Sequence, residues 1–304
     1  MLRCYPLSLD EQRTYADDFD GKVFVWDIDK TYLATRFSSL KGMARIPLEF
    51  AIDKKAIPGM PEVLRGLRRG AGRTFAATPI YFVTASPPQM RRVIERKMLM
   101  DGVEYDGIAF KDWAATILRL RPGRLREQVG FKLCALLTTR QNRSRSREYL
   151  FGDDVESDAE AFHLYARLLE GELSAGEAEE VMKTAGVKKD DRDCVRALLD
   201  RLGQKRGSVE RIFIHLAEQS APERFSHLSP LVVPVKGAFQ LALACYELGL
   251  LRAEAVRRAL DACLAFRPQF EQEELGRDAL ERGLISEEIY SKSTFLNSSA
   301  LPAR

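Results

Sequence analysis

The chain has 304 residues, 45% hydrophobic and 30% charged. That is enough length for one large α/β domain, and the balance excludes collagen-like, low-complexity and wholly disordered chains. Net charge is +3, but the average hides a split. Residues 1–150 carry 27 basic and 17 acidic side chains, against 20 and 27 in residues 151–304. Much of the excess lies in Arg119–Arg147, where nine basic residues meet the single acid Glu127, a field suited to an anionic substrate. The amino terminus lacks the apolar stretch of a secretion signal. The most apolar run, Ala238–Leu251, is interrupted by Gln240 and Glu247 and is too short to span a membrane. Five scattered cysteines without a CxxC pair argue against disulfide scaffolds and structural zinc, and fit a reducing cytoplasm.

In chain order, Lys22–Trp26 (KVFVW) is an uninterrupted apolar run of β-forming residues, the pattern of a strand buried on both faces of a parallel sheet. Pro61–Arg69 predicts a helix after Pro58-Gly59. Ile80–Val83 predicts a second strand and Pro88–Met100 a second helix. A strand is expected at Gly107–Phe110, and Lys132–Leu137 opens another helix. Tyr149–Phe151 and Ile212–Leu216 predict further strands, and Leu231–Val235 one more, at a sheet edge because of Pro234. Strands alternating with helices mean an α/β fold with a mainly parallel sheet flanked by helices. Ala159–Leu202 reads as two or three helices broken near Gly171, Gly176 and Gly186–Lys189. Phe239–Leu248, Ala253–Ala265 and Glu271–Arg282 are helical, and Ser291–Arg304 reads as a loose tail.

The chemistry gathers at strand ends, where open α/β sheets bind their ligands. The pattern DxD occurs at Asp18–Asp20, Asp27–Asp29 and Asp191–Asp193, and only the middle one follows an apolar strand and leads into a threonine, Thr31. In an extended chain Asp27 and Asp29 point the same way, and two carboxylates so close call for a divalent cation. Thr84 closes the second strand. Lys132 begins a helix before the strand YLF, which ends in Gly152-Asp153-Asp154, with Asp158 four residues on. Oxygen ligands of this kind favour magnesium. No P-loop, dinucleotide fingerprint or nucleophile elbow is present, and His215, inside an apolar strand, reads as a core residue.

These elements, Asp27–Thr31 (DIDKT), Tyr81–Thr84 (YFVT), Lys132 and Gly152–Asp158 (GDDVESD), resemble the haloacid dehalogenase (HAD)-like superfamily of phosphoaspartyl-forming phosphatases. Together with Pro58–Pro61 and Val83–Pro87 (VTASP), they resemble more narrowly the phosphatidate phosphatase catalytic domain of the actin-patch protein family. The resemblance implies a HAD-like Rossmannoid core with a minimal cap, an inserted helical segment and C-terminal helices. The boundaries expected are 1–164 for the core with its motifs, 165–206 for the insert, 207–251 for the rest of the core and 252–304 for the C-terminal helices and tail.

It also implies roles. Asp27 is the nucleophile, Asp29 the acid and base, and Lys132 the compensating cation. Thr31, Thr84, Ala85 and Ser86 bind the phosphoryl group. Asp27, the Asp29 backbone carbonyl and Asp153 hold Mg2+, and Asp154 and Asp158 support them. With only Arg119–Gln128 available as a basic hairpin over the site, the site is expected to be open to a phosphate carried on something large. A lipid head group met transiently at a membrane surface is the substrate the resemblance favours. A polynucleotide end is the alternative, less favoured because stacking aromatics are missing among the arginines. From a different class, a catalytically inactive HAD-like interaction module remains open.

Overall fold

The computed structural model describes residues 5–34, 54–112, 128–203 and 207–294. Seven strands form one sheet: β1 Leu7–Glu11, β2 Lys22–Asp27, β3 Ile80–Thr84, β4 Gly107–Lys111, β5 Arg147–Asp153, β6 Ser208–His215 and β7 Val232–Val235. Their order is β1-β4-β3-β2-β5-β6-β7. All neighbours are parallel except β1, which pairs antiparallel with β4. The order steps outward from β2 to β3 and β4, then returns to β5 on the other side. Beside the carboxyl end of β2 it therefore leaves the crevice in which such sheets bind ligands.

Period-2 alternation divides the central strand between two layers. Phe24 and Trp26 pack into one core, beneath the helices α1 Met60–Arg69, α7 Ala238–Glu247 and α8 Ala253–Phe266. Trp26 stacks on Phe151 at 4.1 Å between ring centroids, and Phe151 on Phe213 at 5.2 Å. This aromatic ladder runs across β2, β5 and β6. Val23 and Val25 face the other core, built with α3 Val129–Arg140, α4 Asp158–Glu170 and α6 Lys189–Leu202. Buried on both faces, the inner strands need no polar alternation, which is why they read as continuous apolar runs.

The remaining helices are α2 Arg91–Met100, α5 Ala175–Thr184, α9 Gln272–Glu281 and α10 Glu287–Thr294. Four expectations are corrected. Gly176 does not break a helix: Ser174 caps α5 through the Glu177 amide in a capping box, and Gly176 lies in the first turn. Ser291–Thr294 belongs to α10 rather than to a loose tail. Cys194 is disulfide-bonded, whereas Cys134, Cys245 and Cys263 are buried and outside any disulfide; scattered cysteines carry no pairing signal in sequence. Arg140 and Arg143 do not contribute to a substrate-facing field: both are buried, each pairing with Glu148, at 2.6 and 3.4 Å. The expected basic hairpin Arg119–Gln128, apart from Gln128, and most of the interval between Thr31 and Pro58 lie outside the described residues. Among the described residues, no helix is long and apolar enough to cross a membrane.

Gly59 marks where three helices meet. Its φ is 87°, and a Cβ there would stand 2.8 Å from Ala238 Cβ, 3.0 Å from the Ala259 carbonyl and 3.1 Å from Cys263 Sγ. Gly59→Ala is expected to lower stability by about 2–4 kcal/mol, from the left-handed backbone and the overpacking together. Urea unfolding monitored by circular dichroism measures it; an unchanged midpoint would contradict this packing.

Candidate active site

Asp27 is the last residue of β2 and is 1% exposed. One carboxylate oxygen, Oδ1, accepts a hydrogen bond from Lys132 Nζ at 2.9 Å, while Oδ2 is buried without a partner. Strand geometry stops there. The Ile28 carbonyl takes the amides of Tyr32 and Leu33, and Lys30 turns into the left-handed region with φ 61°. Asp29 is thereby turned toward the end of β3: its Oδ2 accepts the hydroxyls of Thr84 at 3.2 Å and Ser86 at 2.8 Å. The two aspartates therefore lean on different neighbours rather than sharing a strand face. The Ser86 amide donates to Thr84 Oγ1 at 3.0 Å, which fixes the turn through Ala85. Thr31 Oγ1 is buried and unpartnered.

Lys132, in the first turn of α3, is fully buried. Its ammonium is bonded to Asp27 and Asp158 and lies 3.3 Å from Glu156 Oε2. Burial alone pushes a lysine down, but the charges of Asp27, Glu156 and Asp153 outweigh it and hold Lys132 above its usual range. Asp158 opens α4, and its second oxygen accepts the Asp153 amide at 3.3 Å. Gly152 makes this approach feasible, because a Cβ at that position would lie 2.5 Å from Asp158 Cβ.

Asp153 ends β5. Its Oδ1 receives the amides of Val155 and Glu156 at 2.7 and 2.9 Å, and its Oδ2 is buried without a partner. Burial pushes the Asp153 carboxyl up to about 6, with Lys132 opposing. Asp27 is also held well above the usual carboxylate range, first by burial and then by Glu156, Asp153 and Asp29, against the pull of Lys132.

Asp154 does a different job. Its two oxygens accept the amides of Glu218 at 3.1 Å and Ser220 at 3.2 Å, tying down the loop after β6. Partial burial pushes this carboxyl up, but those hydrogen bonds prevail and hold it below the usual range.

The crevice thus collects Asp27, Asp29, Thr84, Ser86, Lys132, Asp153 and Asp158. Two residues that sequence reasoning did not assign to the site also belong here. Glu156 stands inside the acidic run Gly152–Asp158, which was its one visible signal. His215 places Nδ1 2.7 Å from the Lys30 carbonyl; since a carbonyl only accepts, Nδ1 carries the proton. Nothing in an apolar strand announces such a contact.

Three carboxylates, Asp27, Glu156 and Asp158, each offer an oxygen within 4.8 Å of the others, a spacing that suits a metal ion. The Lys132 ammonium already compensates that group. The oxygens left buried and unpartnered on neighbouring strands are Oδ2 of Asp27 and Oδ2 of Asp153, and hard carboxylate oxygens of this kind fit a divalent cation.

No curated protein and no solved structure matches the chain. Residues 23–175, which contain Asp27, Asp29, Thr84, Lys132 and Asp153, match the family model of the phosphatidate phosphatase APP1 catalytic domain, and the chain belongs to that family.

Proposed function

We propose that this chain is a magnesium-dependent phosphomonoesterase that works through an aspartyl-phosphate and takes phosphatidate as its substrate. The observation that carries the reading is Asp27. It is a buried carboxylate at a strand end, with one oxygen steered by Lys132 and the other without any partner. That is the disposition of a nucleophile held ready. Membership of the phosphatidate phosphatase family supports the choice of substrate.

In the first step Asp27 attacks phosphorus, the bond from phosphorus to the glycerol oxygen breaks, and Asp29 gives its proton to the departing oxygen. In the second, water attacks the phosphorus of the aspartyl-phosphate, Asp29 takes a proton from it, the bond from phosphorus to the Asp27 oxygen breaks, and inorganic phosphate leaves with the Asp27 carboxylate restored. The Thr84 and Ser86 hydroxyls hold Asp29 in place for both transfers. Lys132, together with a bound divalent cation, would lessen the repulsion between the phosphoryl group and the carboxylates of Asp27, Glu156 and Asp158. Thr31, whose hydroxyl is buried without a partner, would supply a donor to the phosphoryl oxygens along with the Ala85 amide, while Thr84 and Ser86 act on the phosphoryl group through Asp29. Asp27 and Asp153, with the Asp29 carbonyl, would hold magnesium, which when bound supplies electrostatic stabilisation of the transferring group. Asp158 and Asp154 act through others: the first orients Lys132 and the Asp153 amide, the second the loop after β6. The lipid phosphate is met at a membrane surface, from the aqueous side.

Asp27→Asn is expected to lower turnover of p-nitrophenyl phosphate and of phosphatidate by about three orders of magnitude or more, with the fold intact. Asp29→Asn is expected to lower kcat about 100- to 10,000-fold, the range of a lost general acid and base. Stopped assays of phosphate release, with circular dichroism as the control, measure both; full activity in Asp27→Asn would remove the nucleophile assigned here. Chelation with EDTA is expected to abolish turnover and excess magnesium to restore it. Wild-type protein that releases no phosphate from either substrate in magnesium would favour the interaction-module reading.

A further inference from the structure

His215 closes β6 and takes no part in the steps above. Strand pairing holds it on both sides, in register with Asp153 of β5 and Val235 of β7. Its carbonyl accepts the Asp154 amide at 3.1 Å, so its backbone is fixed to the strand end that carries Asp153. The side chain reaches past that strand to the turn after β2, where Nδ1 donates to the Lys30 carbonyl at 2.7 Å. Burial pushes the imidazole below its usual range, against the Lys30 carbonyl and the Asp154 carboxylate. The ring is therefore neutral, with its one proton spent on Lys30. Lys30 needs that support. Its φ of 61° lies in the left-handed region, which a residue with a Cβ keeps only where its surroundings insist. Its amide is tied to the Leu33 carbonyl at 2.7 Å. The peptide on its other side, which joins it to Thr31, is tied by His215.

We infer that His215 is a positioning residue for Asp29, a role that rests on the acid and base chemistry proposed above and deepens it. The imidazole locks the Lys30–Thr31 peptide and so keeps the Asp29 carboxyl aimed into the site. Asp29 precedes Lys30 and Thr31 follows it, so a rotation at Lys30 redirects both. With the imidazole donor gone, the Lys30 peptide can turn toward ordinary backbone angles, and Asp29 swings off the hydroxyls of Thr84 and Ser86. A displacement of about 1 Å at a transferring group can cost about 100-fold in rate. The support comes from β6, outside the residues 23–175 that match the family.

The test compares kcat/KM for phenyl phosphate, whose leaving oxygen needs a proton, with that for p-nitrophenyl phosphate, whose leaving group departs readily without one. His215→Phe keeps a ring and removes the donor. It is expected to cost about tenfold or more on phenyl phosphate and less than about threefold on p-nitrophenyl phosphate. Both values come from one sample, so loss of folded protein cancels from their ratio. His215→Asn, which can place an amide donor where Nδ1 stands, is expected to keep that ratio within about twofold of wild type. In a Lys30→Gly background, where the left-handed turn costs little, His215→Phe is expected to change the ratio by less than about threefold. Equal losses on the two substrates, or an undiminished change in the Lys30→Gly background, would overturn the positioning role alone. Wild type that releases phosphate from neither substrate overturns the phosphatase reading and this role with it.

Discussion

The site depends on one buried ammonium. At the carboxyl edge of the sheet, Asp27, Glu156 and Asp158 converge on Lys132, which is fully buried. Each carboxylate is costly without a cation, and the lysine would be costlier without them. Such a cluster adds little net stability, but it allows few arrangements of α3, β2 and α4. The lysine belongs to the start of α3, one acid to the end of β2, another to the start of α4. The three elements meet in register or leave charges uncompensated. Gly152 takes part by omission, because the close approach of Asp158 occupies the space that any side chain there would need. Asp27 Oδ2 is left buried and unpaired as a result, and the proposed chemistry starts from it.

A second set of contacts fixes the wall next to this cluster. Lys30 adopts φ 61°, a conformation a lysine enters at a cost. It is held there by its amide on the Leu33 carbonyl at 2.7 Å and by His215 on its own carbonyl. Its ammonium lies 3.7 Å from Glu218, whose backbone amide is bound by Asp154. The turn carrying Asp29 and the loop after β6 are therefore sewn together by His215, Asp154 and Lys30. A shift in one moves the other, which joins the two acids of the DxD pattern to a strand that lies two places away.

The inner strands were legible because burial on both faces leaves an unbroken apolar run, and Pro234 placed β7 at an edge where its missing amide is tolerated. β1 was not legible: Leu7–Glu11 is short, half polar and at the opposite edge, so neither run nor alternation stands out. α10 escaped for a similar reason, since a polar eight-residue helix has little apolar stripe to show. Within the site, Asp27, Lys132 and Asp153 could be located because each sits at a strand end or helix start with a distinctive residue order. The partners of each group could not. Asp154 and Asp153 are adjacent and chemically identical, yet one is spent on two amides of a distant loop and the other keeps a free oxygen. Arg140 and Arg143 look like surface charge in sequence, and only tertiary packing brings Glu148 between them.

The proposed chemistry and the loop that braces it are drawn from separate stretches of chain. Asp27, Asp29, Lys132 and Asp153 all fall within residues 23–175, the part that defines the family. The elements that brace the site from the far side, β6 with His215 and the loop after it with Glu218 and Ser220, come later in the chain. The two parts are packed together along β5 and β6 and along α1 and α8, and meet at the site through the Asp154 carboxylate and the Lys30 carbonyl. The charge balance around Lys132 has little freedom: Lys132, Asp27 and Asp158 are buried, Glu156 is partly exposed, and each acid stands within bonding reach of the ammonium.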